Sequence, residues 1–228
     1  MNAALASVRR VAALCVAILL TGCATSAVEH FYTVSAPGGA RATAEDQAPR
    51  VAVAPVAIPA MIDRPQLVQR TSSHEVSVLE NHRWAEPLST DLTRALVDEL
   101  RRSTTGVEII ERGAPQARGA SAVLEVTIAE LVTGPDSTTA LRASWQLRDR
   151  ERACVMAAHI DVQIPTQAGY DAIPAAYAVA MTRLAEPVAH TIEQSMSCTE
   201  AEASASAAKH RRATTTAQAD AERRVEQR

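Results

Sequence analysis

Three stretches decide the fold: VLEVTIAELV (residues 123–132), TALRASWQLR (139–148) and ACVMAAHIDVQI (153–164). In the first, Leu124, Val126 and Ile128 share a face. In the second, Leu141, Ala143, Trp145 and Leu147 point one way, and Arg142, Ser144, Gln146 and Arg148 the other. In the third, Cys154, Met156, Ala158, Ile160, Val162 and Ile164 alternate with His159, Asp161 and Gln163. A period of two with one polar face predicts antiparallel strands that cover a core on one side and meet water on the other. The turns Gly134-Pro135-Asp136 and Asp149–Arg152 join the three as a meander.

On both sides of the meander the period changes. From Pro87 to Arg102, Leu88, Leu92, Leu96 and Leu100 fall four apart, with Ala95 and Val97 beside them. That is the apolar stripe of an amphipathic helix. Pro87 suits its first turn, and Arg101 and Arg102 its negative end. Gly106 ends the connection, and Val107–Ile110 reads as a short strand. Over residues 175–196, Ala180, Leu184, Val188 and Ile192 repeat the same spacing. Pro174 can open this second helix, and Pro187 is expected to kink or split it. Toward the amino end, Phe31–Val34 reads as a short strand, followed by the turn Pro37-Gly38-Gly39. Val51–Ile58 is almost wholly apolar, with a bulge or an edge expected at Pro55. Met61–Arg70 reads as a turn leading into a strand, with Glu75–Leu79 as its hairpin partner. Two helices that each need a sheet face predict a single α+β domain: a mixed, largely antiparallel sheet packed by two main helices.

The amino terminus carries an export signal. Arg9 and Arg10 precede the apolar run Val11–Leu20, which is followed by Leu20-Thr21-Gly22-Cys23. Ten apolar residues are too few to span a bilayer core, which needs about 20, and basic start, apolar run and small residues stand in the order of a secretory signal. The pattern resembles the bacterial lipobox. That resemblance implies cleavage before Cys23 and acylation of Cys23, with residues 1–22 removed. Two or more acyl chains anchor stably where one does not. The alternative is an ordinary secreted protein with a cysteine near its cleavage site. Removing Arg9 and Arg10 lowers Lys+Arg from 23 to 21 against 26 acidic residues, a balance of −5. A mildly acidic chain with no basic patch gives no support to nucleic-acid binding.

With Cys15 in the signal and Cys23 at the cleavage site, Cys154 and Cys198 remain. In an oxidising compartment two leftover cysteines tend to pair; two free buried thiols are the alternative. Two distant cysteines with no nearby histidine pair lack the spacing of a zinc site. After Cys198 no apolar stripe continues, so residues 199–228 read as a disordered charged tail. Aromatics are scarce, one Phe, three Tyr and two Trp, so Trp84 and Trp145 are expected to be packing anchors.

No catalytic motif is present: no Gly-rich phosphate loop, no Gly-x-Ser-x-Gly elbow, no His-Glu-x-x-His. The six histidines do not cluster in sequence, and His159 falls on a polar strand face. The chain is read as a non-enzyme without cofactor or metal. The unusual stretch is Arg83-Trp84-Ala85-Glu86-Pro87-Leu88, an aromatic and two charges just before a helix. Packing explains it if Trp84 staples the helix start and Glu86 faces its positive end. Partner recognition explains it if Trp84 and its charged neighbours form an interface.

Three segments together carry a family resemblance: Tyr32-Thr33-Val34 soon after Cys23, Val53–Pro59 followed by Asp63–Arg70, and Arg83–Leu88 opening the helix. In this order they resemble the ABC-type transport auxiliary lipoproteins, the PqiC-like subunits of MCE lipid-transport systems, from Cys23 to about Cys198. The resemblance implies an outer-membrane-anchored periplasmic lipoprotein that docks an MCE-domain protein, PqiB-like or Mla-like, and supports membrane integrity. Ala24, in place of Asp, resembles an outer-membrane address. Implied partners are the MCE-domain protein, the membrane through acylated Cys23, and further copies of the chain in a homo-oligomer. Arg64, Arg83, Trp84 and Glu86 are the candidate interface. The rival readings are a stand-alone periplasmic lipid or ligand carrier with an apolar cavity, and an envelope hydrolase with a convergent nucleophile and base.

Overall fold

The long strand β6 (Ala122–Thr133) organises the molecule. A computed structural model describes residues 28–35, 48–150 and 155–196. Residues 1–22, Cys23, the two cysteines of the expected Cys154–Cys198 disulfide and residues 199–228 lie outside the described residues. The strands before β6 are β1 (His30–Tyr32), β2 (Arg50–Val53), β3 (Gln66–Arg70), β4 (Val76–Trp84) and β5 (Glu108–Glu111). After it come β7 (Thr138–Asp149) and β8 (Val155–Pro165). The helices are α1 (Leu88–Ser103) and α2 (Ala172–Met196).

One edge of β6 is taken along its whole length by β7, and β7 in turn pairs with β8, both antiparallel. The other edge is shared. β2 pairs in parallel with its first residues, and β3 touches its end at Thr133. β5 extends the sheet beyond β2; β4 and then β1 extend it beyond β3. The result is a mixed sheet of eight strands in which the long ladders are antiparallel. With the two α-helices found among the described residues it is a single α+β domain, as the alternating patterns predict.

Alternation fixes which face is covered. Leu141, Ala143, Trp145 and Leu147 of β7 are buried, while Arg142, Ser144 and Arg148 are exposed. Leu124, Val126 and Ile128 of β6 join them under the helices in one continuous core. On the opposite face Ala52, Ile110 and Ala120 form a small second cluster, covered by a 3-10 helix at Pro115–Gly119 that the apolar spacing does not announce.

Pro55 stops β2, as a residue without an N–H must. Ala54 and Ala57 still donate to Leu124 and Val126 of β6, at 2.8 and 3.0 Å. Val56, turned the other way, is served by α1. Its N–H donates to Thr93 Oγ1 at 2.9 Å, and its carbonyl accepts from Ser89 Oγ at 2.7 Å. Both backbone groups of a buried non-strand residue are thus paired.

The expected split of the second helix at Pro187 does not occur: α2 runs unbroken from Ala172 to Met196. Leu184, Ala185 and Val188 around the proline are fully buried, so packing holds the turn that propensity alone would break. Thr191 Oγ1 donates to the Pro187 carbonyl at 2.9 Å and accepts from Trp145 Nε1 at 3.0 Å, fastening α2 to β7.

Candidate functional site

A cleft of about 360 Å³ opens where the β3–β4 hairpin meets the start of α1. Asp63, Arg64, Pro65, Trp84, Glu86, Pro87 and Leu88 line it. The approach to β3 is a tight turn, with Ile62 and Asp63 both donating to the Pro59 carbonyl at 3.0 and 3.1 Å. The Trp84 N–H donates to the Pro65 carbonyl at 2.7 Å, so the Arg64–Pro65 corner is pinned against the end of β4.

Trp84 is 5 % exposed and forms the floor. Its ring stacks on that of Tyr177 from α2, with centroids 5.5 Å apart and planes 29° off parallel. The Tyr177 hydroxyl donates to the Leu131 carbonyl at 2.9 Å. Burial raises the Tyr177 phenol well above its ordinary range. At the rim, Glu86 holds Arg94 in a two-point pair, Nη1–Oε1 at 2.5 Å and Nη2–Oε2 at 2.7 Å. The hydrogen bonds it donates to Glu86 raise the Arg94 guanidinium above its ordinary value. Arg64 is exposed at the mouth. The cleft therefore offers an aromatic floor, proline and leucine walls and, at the mouth, the exposed charges of Asp63 and Arg64. It has no nucleophile with a base, and among the described residues no three metal-ligating side chains converge.

Arg64, Trp84 and Glu86 thus share one cleft, and Arg83 does not. Neighbouring residues on a strand point to opposite faces, so Arg83 turns away from Trp84. Its Nη1 meets Glu29 Oε1 at 3.2 Å, and its Nε is buried without a hydrogen-bond partner.

Two features beside the cleft escape a reading by apolar spacing. Asp91, on the first turn of α1, is 1 % exposed. Its carboxylate accepts from the Val34 N–H at 2.6 Å, the Ser35 N–H at 3.1 Å and Thr33 Oγ1 at 3.0 Å. It fastens the segment after β1 to the helix. The available signal was a carboxylate among Leu88, Leu92 and Ala95 on the buried stripe. The second feature is a ring cluster on β1 and β4. His82 stacks on His30 and Tyr32, at centroid distances of 5.1 and 5.7 Å, and meets Tyr170 at 4.1 Å. Tyr32 Oη and His82 Nδ1 are hydrogen-bonded at 2.8 Å. Desolvation first, and then the neighbouring His30, lower the His82 imidazole below its ordinary value.

The family model described as the ABC-type transport auxiliary lipoprotein component matches residues 32–189, from the Asp91-clamped strand through most of α2. The chain belongs to that family. A crystal structure of an uncharacterized protein shares 20 % identity, covers 73 % of this chain and 99 % of its own, and superposes with a TM-score of 0.60. Protein XCC0632 from Xanthomonas campestris shares 15 % identity, with 74 % of this chain and 100 % of its own covered, at a TM-score of 0.53. Both likenesses are of fold. No curated protein matches the sequence. Among the described residues, no helix of this auxiliary lipoprotein is long and apolar enough to cross a membrane.

Proposed function

We propose that this auxiliary lipoprotein is a non-catalytic envelope subunit that docks an MCE-domain protein of an ABC-type lipid-transport system. On this reading it is held by acylated Cys23 at the periplasmic face of the outer membrane. Family membership supports the transport role, and the Leu20–Cys23 run and Ala24 support the anchor and its address. The observation that carries the docking reading is the cleft over Trp84. It is apolar-floored, it opens at the surface, and it adjoins β1, since Tyr32 pairs with Trp84 in the β1–β4 register. A partner seated there would lie close to where the chain leaves its anchor.

The test is capture of the co-produced MCE-domain protein from detergent-solubilised envelopes. Arg64→Ala should weaken capture and leave the melting temperature unchanged, because Arg64 is exposed at the mouth. Glu86→Ala also releases Arg94, so its melting temperature must be read beside its capture. Equal capture by wild type and Arg64→Ala retires the docking role of the cleft. Co-purification of lipid with an uncomplexed monomer would favour the stand-alone carrier instead. For the anchor, mass spectrometry should find a diacylglyceryl group on Cys23, and Cys23→Ser should leave the membrane fraction. For the Cys154–Cys198 disulfide, the native oxidised protein should resist alkylation at both thiols.

A further inference from the structure

The fold is apolar on the outside where the chain approaches Cys23. β1 ends the strand order of the sheet. Val28, two residues before it, is 73 % exposed, and Phe31, in its middle, is 61 % exposed. Tyr170 is exposed at the same edge, where its ring meets His82 at 4.1 Å. Val28, Phe31 and Tyr170 are three of the five large apolar or aromatic side chains exposed among the described residues. Scattered singly such residues mean little; gathered at one edge they mark a contact surface.

Both faces of the strand take part. In the parallel β1–β4 ladder His30 pairs with His82, Phe31 with Arg83 and Tyr32 with Trp84. Trp84 faces α2, so alternation puts His30, Tyr32 and His82 on the helix side and Phe31 on the other. Glu29, the carboxylate between Val28 and Phe31, is paired with Arg83 at 3.2 Å. The length of chain that leads away from this edge names its occupant. Five residue steps separate Val28 from Cys23. A fully extended chain spans about 3.6 Å per step, or about 18 Å in all. With Cys23 acylated, as proposed above, that leash holds the β1 end of the sheet beside the bilayer.

We propose that β1 is a lipid-contacting edge, with Val28 and Phe31 seated in the headgroup–acyl boundary of the membrane that holds Cys23. The inference rests on the anchor and adds to it a second, protein-made contact. Apolar side chains of peripheral proteins enter that boundary to a depth of about 5–10 Å. The rings of His30, Tyr32, His82 and Tyr170 then lie at headgroup level, where side chains with an apolar body and a polar tip are favoured. Two points of contact, acyl chain and strand, fix an orientation that a flexible tether alone leaves free. The sheet stands on its β1 edge, and β5, at the other end of the strand order, points away from the bilayer.

The experiment places the mature protein in vesicles of phosphatidylethanolamine and phosphatidylglycerol, part of the lipid brominated on its acyl chains near the headgroup. Bromine quenches tryptophan emission at short range. Trp84 and Trp145 are buried, so the wild type sets the background. Phe31→Trp should add emission that brominated lipid quenches and aqueous iodide does not. Gln116→Trp, exposed on the 3-10 helix near β5, should show the reverse. Mass spectrometry of the same sample keeps the two readings apart. If it finds no acyl group on Cys23, the anchor reading fails by itself. The contact is then measured on a Cys154→Ser/Cys198→Ser chain beginning at Cys23, coupled through that thiol to a maleimide phospholipid in the same vesicles. That coupling supplies the same leash, and the same pattern of quenching is expected. Iodide quenching of the tryptophan at position 31 would show that the edge faces water. Shielding from both quenchers would show that protein covers it. Either result overturns the proposal.

Discussion

Replacing Asp91 by alanine should free the amino-terminal strand and leave the rest of the sheet folded. The Asp91 carboxylate accepts from two backbone N–H groups and one hydroxyl of residues 33–35. Val34 is buried, whereas Thr33 is exposed and can turn to water. The cost is therefore carried by the two N–H contacts. A hydrogen bond to a charged group contributes about 1.5–3 kcal/mol. Relief of the desolvated carboxylate offsets part of that sum, leaving about 3 kcal/mol for local opening. At 1.4 kcal/mol per tenfold, amide exchange at Val34 and Ser35 should accelerate by about a hundredfold. β1 itself is held by three residue pairs to β4, and among the described residues no strand pairs with its other side. Amides in the middle of β6, such as Val126, should keep wild-type exchange. Hydrogen exchange read by NMR or mass spectrometry resolves the two regions. Unchanged protection at Val34, or an equal loss at Val126, would refute the idea of a local clamp.

Three other perturbations test the packing. Trp84→Ala removes a buried ring stacked on Tyr177 and should lower stability by about 3–5 kcal/mol in urea unfolding, as large core deletions do; a loss below about 1 kcal/mol would mean that the ring is held by the cleft's occupant instead. Thr191→Val keeps the shape but strands the buried Trp145 Nε1–H, and should cost about 1–3 kcal/mol; Thr191→Ser, which keeps the hydroxyl, should recover most of it. Tyr177 gives a pH signature. Its phenol ionises above its ordinary value in the folded state, so the unfolded chain releases that proton first as pH rises. Stability should be fully present below about pH 10 and fall above it. Tyr177→Phe should flatten the fall, and an unaltered alkaline slope would show that other groups cause it.

Much of this architecture is visible in the residue pattern, because β7 and α1 each bury one face and expose the other. Alternation over Leu141–Leu147 and a four-residue stripe over Leu88–Leu100 report burial directly. Pairings between distant segments leave no such mark. Nothing in His30–Tyr32 shows that it runs parallel to the end of β4, and nothing in Arg50–Val53 shows that it lies between β5 and β6. Of the candidate site, Trp84 and its charged neighbours stand out in composition. Strand parity separates Arg83 from them, and it becomes readable only once β4 is known to continue through Trp84 instead of ending near Leu79. Asp91 is hidden for a different reason: its partners are backbone amides, which are the same in every sequence. Pro187 misleads because its local cost is met by burial on both sides of it.

The parallel placement of β2 has a consequence in time. On the export route proposed above, the chain crosses the inner membrane amino end first. β2 then emerges well before either neighbour, and both its edges stay open until β5 and the start of β6 arrive. Non-local pairing of this kind is slow and leaves apolar strand uncovered meanwhile. The waiting segment is VAVAPVAI (residues 51–58), without a single charge. An apolar run of that length invites intermolecular stacking unless something interrupts it, and a proline does so. Pro55 thus serves the chain twice. In the finished sheet it ends β2 and turns Val56 toward α1; on the proposed export route it would keep neighbouring copies of this stretch from zipping together before their own strands have arrived.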